Sequence, residues 1–383
     1  MLHYPFIKVS GATYYEIGKD YGRQAKDLIA HAVSDYKQVF AGSSDRSWEE
    51  IQQFALSFVD ITRRVAPEVM EEVEGIAEGS GFSLADIMVV NCRYEITKFP
   101  QKNECTTAAV LPEAAKDGKM YLVKNWDYRV GIMDHVMIIH ITQPDGTRIM
   151  GLTEAGQVIR GGMNSHGLGS VSNNLQSIYD AWAVGLPTVF ARRQLLKYKT
   201  FDEIKEFILN FPRAVSCNIM IAGYKEKKAV DFEVYPGGVD MIETENGIVT
   251  HANHFIVQPE IHALQRSPRD ARLRELLMKK HGEIDAEYIK CCVADHENYP
   301  QALCRHPADP TLPLGMRSCT VSNEIMDFEA GAVSYTHLIV MGAVMTTAIF
   351  ASLINLLVDI VYTYIDPRLA SQFTSVKRSV KKA

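Results

Sequence analysis

The chain has 383 residues, 47% of them hydrophobic and 22% charged, a globular composition long enough for one large domain or two smaller ones. A formal net charge of -6 supplies no basic field, which excludes nucleic acid as a partner. The seven cysteines, Cys92, Cys105, Cys217, Cys291, Cys292, Cys304 and Cys319, form no CxxC pair, and a chain of this size needs no staples, so a reducing cytoplasm is the expected compartment.

The start, "MLHYPFIKVSGATYYEIG", has no basic stretch leading into an apolar run, so no signal peptide is expected. Apolar residues at helical spacing run from Tyr15 to Phe40 and from Trp48 to Ile76, which predicts a mostly helical lead. In "EGIAEGSGFSLADI" the glycines predict a helix stop, with Ser83 as N-cap of the helix that follows. From Cys105 the rhythm changes to short segments of strand composition, "CTTAAVL", "KMYLVKNWDY", "HVMIIHITQ", "TRIMGLTE" and "HGLGSVSNN", separated by glycine turns. Helices are expected again at Pro187 to Tyr198, Phe201 to Leu209, Ser267 to Lys280 and Ala286 to Cys292. Strands are expected at "SCNIMIAG", "KAVDFEVY" and "GIVTHANHF", and a final hairpin begins at "MRSCTVSNEIMDFEAG". The order predicts sheets covered by helices in one α+β body.

Cys105, where helical lead meets sheet, is the first candidate for chemistry. A lone cysteine at a strand start is more often a small buried hydrophobe. A nucleophile needs a base, and none of the twelve histidines carries a Cys-His signature. A different base arises if the chain is cut before Cys105: the new α-amino group, with a pKa of roughly 8, lies beside its own thiol and can take its proton. Asp127 after an apolar run also fits a turn cap, Asn253 a loop cap and Arg317 a solvated surface charge. In "HANH", His251 and His254 would lie on opposite faces of a continuing strand, so no metal site is expected there. Cys291 and Cys292 are adjacent in an expected helix and suggest buried packing, and "GGMNSHGLG" reads as a hairpin rather than a phosphate loop.

Six ordered segments, "NECTTAAVLP", "KNWDY", "LTEAG", "NSHGLGSVSNN", "VTHANHF" and "MRSCTV", resemble the acyl-coenzyme A:6-aminopenicillanic acid acyltransferase family, a cysteine branch of the N-terminal nucleophile hydrolases. The lead segment "APEVMEEVEGIAEGSGFSLADIMVVNCRYEI" is similar as well, and the likeness spans about residues 4 to 332. The resemblance implies a four-layer αββα sandwich and a precursor that cuts itself between Glu104 and Cys105, leaving an α chain 1–104 and a β chain starting at Cys105. It assigns Cys105 as nucleophile, Asp127 as the carboxylate orienting the new N-terminus, Asn253 as oxyanion donor, Arg317 as the arginine assisting processing and catalysis, and Ser216 as a serine near the site. An amide can stabilise an oxyanion without a charge of its own, and Arg317, always protonated, would pair with Asp127 or a substrate carboxylate rather than act as a base. Glu104 is a departure, since a glycine is expected before the cysteine.

After Glu329 the resemblance breaks off. Ile339 to Val358, "IVMGAVMTTAIFASLINLLV", is uncharged and long enough to span a hydrocarbon core, and a basic tail, "SVKRSVKKA", follows. The segment ending in "DPRL" resembles the last transmembrane helix of peptide ABC-transporter permeases. The basic tail should stay cytoplasmic, which would put the preceding residues across the membrane without an export signal. A junction of two coding segments at 333–338 is therefore expected, with the enzyme body at 105–332, a foreign transmembrane helix at 339–365 and the basic tail at 366–383.

The expected activity is acyl transfer or hydrolysis through an acyl-Cys105 intermediate formed from a linear amide or an acyl thioester. The other class left open is a non-catalytic, membrane-anchored or transporter-associated protein, supported by the tail alone. No cofactor is expected, acyl-coenzyme A being admitted as a substrate. The expected partners are a small acyl substrate and the two processed chains for each other, with membrane contact only through the C-terminal helix.

Overall fold

The computed structural model describes residues 4–43, 45–96, 105–262 and 266–336. Glu104, residues 337–338 of the expected junction, the apolar run 339–365 and the basic tail 366–383 lie outside the described residues. Among the described residues no helix is long and apolar enough to cross a membrane.

The chain enters through β1 (Phe6–Ser10) and runs on through α1 (Tyr14–Gln24), α2 (Lys26–Ser43), α3 (Trp48–Leu56), α4 (Val59–Val65), α5 (Pro67–Ser80), α6 (Leu84–Asn91) and α7 (Arg93–Ile96). The stretch from Trp48 to Ile76, helical throughout by its spacing, is divided where Pro67 takes the first position of α5 and Ala66 leaves helical geometry at φ -141°. Side-chain caps start several helices: Thr13 accepts from Glu16 N at 3.1 Å, Ser47 and Glu50 form a capping box, and Ser83 accepts from Asp86 N at 3.1 Å.

After Cys105 come β2 (Thr106–Val110), β3 (Tyr121–Arg129), β4 (Val136–Thr142), β5 (Arg148–Glu154), β6 (Gly162–Asn164) and β7 (Leu168–Val171). Next are α8 (Thr188–Leu195), α9 (Phe201–Asn210), β8 (Cys217–Gly223), β9 (Lys228–Tyr235), β10 (Gly238–Glu243) and β11 (Ile248–His251). The last described elements are α10 (Arg269–Met278), α11 (Ala286–Val293), β12 (Ser318–Asp327) and β13 (Ala332–Thr336). The residues assigned to a junction thus begin inside β13, which pairs antiparallel with β12 from Asp327↔Ala332 to Asn323↔Thr336.

Among the described residues these strands make two sheets, eight strands in the order β1-β4-β5-β6-β7-β8-β9-β10 and five in the order β11-β2-β3-β12-β13. All pairings are antiparallel except β1 with β4. Alternation of side chains across each strand sorts the apolar residues into layers. Ala109, Leu122, Val249 and Met326 of the smaller sheet pack against Met163, Val171, Met220 and Ala222 of the larger one, so the sheets stack face to face. The outer face of the larger sheet, with Ile139, Ile149, Ile219 and Phe232, is covered by α1 to α9. On the outer face of the smaller sheet, Ala108, Val110, Val123 and Ile325 meet Leu273 and Leu277 of α10 and Ile289 and Val293 of α11. The order of layers is αββα.

Within the helical layer α1 and α5 touch backbone to backbone. A Cβ on Gly18 would lie 2.0 Å from Glu72 O, and one on Gly75 would lie 2.1 Å from Tyr15 O. Of the glycines expected to stop a helix, Gly75 and Gly79 therefore sit inside α5 as contact points, and only Gly81, at φ 78°, is the left-handed cap.

Candidate active site

Antiparallel order brings the start of β2, the end of β3, the end of β11 and the start of β12 to one end of the smaller sheet. Cys105 precedes β2, Asp127 lies in β3, Asn253 is two residues past β11 and Arg317 immediately precedes β12. Segments far apart in sequence are thus gathered by strand pairing alone.

The Cys105 thiol is buried and lies 3.9 Å from the main-chain carbonyl of Asp127. It belongs to an apolar cluster with Tyr4, Trp126, Tyr128, Leu152 and Val321. A bulge at Val321 shifts the register of β12 against β3 between Thr320 and Ser322, leaving Thr320 opposite Asp127. The Thr320 hydroxyl donates to Asp127 Oδ1 at 2.6 Å.

The guanidinium beside Asp127 is that of Arg269, at the start of α10. Its Nη1 lies 3.6 Å from Asp127 Oδ2, and its Nη2 donates to Asn253 Oδ1 at 3.1 Å. The Asn253 amide nitrogen donates to Asn174 O at 2.8 Å. Arg269 therefore joins two of the residues singled out in the sequence. Arg317, expected to pair with Asp127 or a substrate carboxylate, donates in this structure from Nε to Leu312 O at 2.9 Å and from Nη2 to Pro310 O at 3.5 Å. The short turn ahead of β12 curls beneath its guanidinium, so in this structure its fork is spent on its own loop. Ser216 is buried beside Ser177 and Asp180: its hydroxyl lies 2.9 Å from Ser177 Oγ and 2.5 Å from Asp180 Oδ1.

Behind Cys105 lies a buried ionic assembly that the sequence did not single out. Lys124 and Trp126 alternate with Asn125 and Asp127 and so face the other sheet. Burial pulls the Lys124 amine below its ordinary value, while Cys105 and Glu324 pull the other way. Arg160 stacks over Trp126 at 4.2 Å from the ring centroid, and Arg93 pairs with Glu154 at 2.5 Å, with Tyr36 donating to the same carboxylate at 2.5 Å. Burial raises the Tyr94 phenol, but Arg93, Arg160 and Arg192 more than offset it, leaving it below its ordinary value. Burial, reinforced by the Asp127 charge, pushes the Cys304 and Cys319 thiols up to about 12. Such thiols are protonated near neutrality and poor nucleophiles.

The expectation that His251 and His254 face apart is corrected here. The strand ends at His251, and the bend through Ala252 and Asn253 returns His254 over it, with ring centroids 6.2 Å apart and planes 19° apart. His251 is committed to Glu233 at 2.9 Å, within a buried group that includes Asp231. Of the adjacent cysteines, Cys292 is buried as expected but Cys291 is exposed.

Two helical layers enclosing two stacked antiparallel sheets, with a cysteine opening an internal strand, is the architecture of the N-terminal nucleophile hydrolases. Residues 114–306 match the model of the acyl-coenzyme A:6-aminopenicillanic acid acyl-transferase family, and the chain belongs to that family. It is 27% identical over 300 residues to the acyl-coenzyme A:6-aminopenicillanic-acid-acyltransferase, 40 kDa form, of Emericella nidulans, covering 76% of this chain and 82% of that protein. Among solved structures, the Caenorhabditis elegans ortholog of N-acylethanolamine-hydrolyzing acid amidase is 14% identical with a TM-score of 0.44, covering 60% of this chain and 94% of that one. Penicillin V acylase from Agrobacterium tumefaciens is 12% identical with a TM-score of 0.41, covering 60% and 82%.

Proposed function

We propose that this acyltransferase-family enzyme cuts itself before Cys105 and then works through an acyl-Cys105 intermediate. In the precursor the Cys105 thiol attacks the carbonyl carbon of Glu104, the peptide bond gives way to a thioester, and water hydrolyses it. The products are a Glu104 carboxylate and a free α-amino group on Cys105. That amine takes the thiol proton, the sulfur attacks the carbonyl carbon of a linear amide or acyl thioester, and the ammonium returns the proton to the departing amine or thiol. An amine or water then attacks the acyl-sulfur bond, giving transfer or hydrolysis. Asn253 is the donor proposed for the tetrahedral oxyanion, and Asp127 holds the α-ammonium.

The observation that carries this reading is the start of β2: a buried cysteine against the Asp127 main chain, with β3 and β11 delivering Asp127 and Asn253 to the same end of the sheet. Membership of an acyltransferase family supports the reaction class, while the acyl group and acceptor of this chain are open. Intact-mass analysis of the purified protein tests the proposal. Two chains, one beginning at Cys105, and a single chain in Cys105→Ala are the expected results. A single intact chain that still turns over acyl substrates would overturn self-processing, and turnover by Cys105→Ala would overturn the nucleophile.

A further inference from the structure

A second cluster of chemistry-bearing side chains lies in the loop between α11 and β12. The ligand-forming atoms of His296, Cys304 and His306 all fall within 4.8 Å of one another. The two imidazole Nε2 atoms are 2.7 Å apart, and Cys304 Sγ is 3.8 Å from His306 Nε2. Their rings lie nearly parallel, 10° apart, with centroids separated by 4.9 Å. Two imidazole nitrogens this close share one proton at most, because two N–H groups would meet head on. A thiol with two imidazoles is a poor hydrogen-bonding set and a good donor set for a borderline cation.

We propose that His296, Cys304 and His306 bind one Zn2+ ion in a tetrahedral site whose fourth position is open to water. Metal–nitrogen bonds of about 2.0–2.1 Å and a metal–sulfur bond of about 2.3 Å put tetrahedral ligand atoms roughly 3.3–3.6 Å apart. To meet those lengths the imidazole nitrogens open by roughly 0.6 Å and the sulfur closes by a few tenths of an ångström on His306, while its separation from His296, within 4.8 Å, closes by at most about 1.2 Å. His296 is exposed and His306 half-buried, so both rings have room to turn. Cys304 supplies the thiolate, releasing its proton on ligation. Its sulfur and the two neutral imidazoles leave the complex a net single positive charge.

The frame that holds these three residues is firmly tied. Cys304 N donates to Asp295 O at 3.0 Å, which closes the loop and brings His296 back to Cys304. Arg272 grips Asp295 with Nε and Nη2 at 3.1 and 2.8 Å. Leu303 O accepts from Asn125 in β3 at 2.9 Å. Between the second and third ligands, Arg305 exchanges both main-chain hydrogen bonds with Thr320, N to Oγ1 at 2.8 Å and O from N at 3.0 Å. Because Thr320 also donates to Asp127, the ion would brace the peptide that positions this carboxylate. The metal site does not depend on the acyl-transfer proposal.

The test uses the full chain carrying Cys105→Ala, so that Cys105 cannot answer for Cys304. After chelation and dialysis, Zn2+ is titrated and bound metal counted, and Co2+ is added separately to read thiolate ligation from the sulfur-to-cobalt charge-transfer band. One ion per chain and a charge-transfer band are expected. His296→Ala, the exposed and least disruptive change, should weaken Zn2+ binding by more than the roughly 10–100-fold typical of losing an outer-sphere partner. Cys304→Ser should abolish the band while circular dichroism shows the fold intact. Zero stoichiometry in the folded parent, or a band that survives Cys304→Ser, would overturn the site.

Discussion

Arg269 donates to Asn253 Oδ1 at 3.1 Å while the same guanidinium faces Asp127 at 3.6 Å. By holding the amide oxygen, Arg269 fixes the amide nitrogen as the donating end; one of its N–H groups goes to Asn174 O and the second is the one the proposed oxyanion role requires. Arg269→Lys keeps the charge but not the planar fork and should lower kcat/KM about 100-fold, as loss of one oxyanion donor does. Arg269→Leu should also destabilise the fold by roughly 3–5 kcal/mol, since it removes the guanidinium that faces the buried Asp127 charge. Turnover and thermal unfolding measured side by side check both, and unchanged kcat/KM in Arg269→Lys would refute the positioning role.

Thr320 also grips Asp127, and its hydroxyl works in two directions, donating at 2.6 Å to the carboxylate and accepting at 2.8 Å from Arg305 N. Thr320→Val removes both bonds and should cost about 1–3 kcal/mol of stability. If the Asp127 orientation matters for self-cleavage, the processed fraction should also build up more slowly. Thr320→Ser should restore both. A time course on a denaturing gel beside a melting curve separates the effects: lost stability with normal processing would make the hydroxyl purely structural.

Much of the architecture was legible because turns and alternation mark antiparallel strands locally. Two strands escaped. Residues 6–10 are short and pair parallel with β4, a partner reached only after the whole helical lead, and residues 238–243 form a half-exposed edge strand of mixed apolar and acidic residues. At the site, Cys105 stands where the strand rhythm begins and so was a candidate from the residues alone, whereas Asp127 and Asn253 were singled out by the family resemblance. Arg269 was not, because an arginine among charges in a helix reads as solvated, and only the packing of α10 against β11 buries it. The stacking of His251 and His254 was missed for a related reason, as a period of two holds only while a strand continues. The cluster at His296, Cys304 and His306 leaves no regular spacing, since a loop closed by one hydrogen bond brings its first member to the others.

The contact between α1 and α5 makes a stability prediction whose sign is decided by two opposing terms. In an exposed helix, glycine to alanine gains about 1 kcal/mol of helix propensity. At Gly18 and Gly75 the added methyl would lie 2.0 and 2.1 Å from main-chain oxygens of the facing helix, which cannot swing aside as a side chain can. Overpacking of this kind costs about 1–3 kcal/mol or more. Gly18→Ala and Gly75→Ala should each lower the urea midpoint, while Gly42→Ala, where a methyl meets nothing within 4 Å, should not. A raised midpoint in either contact variant would mean that the helices do not approach this closely.

The buried group around His251 gives stability a pH dependence. Burial alone would lower the His251 pKa, but Asp231 and Glu233 outweigh it and raise the value from 6.5 to about 9. A group raised on folding binds its proton more tightly in the native state, so its contribution is complete below about pH 6.5 and is lost as pH climbs through 9. The direction follows from proton counting, since between these values the native state holds more proton than the unfolded one and stability falls with pH. The full effect is on the order of a few kcal/mol. Urea unfolding between pH 6.5 and 9.5 should therefore show a declining midpoint in the parent. His251→Gln keeps a donor for Glu233 but cannot titrate, so it should start less stable and show a flatter profile. If the variant declines as steeply as the parent, the slope belongs to other groups and His251 is not charged in the fold.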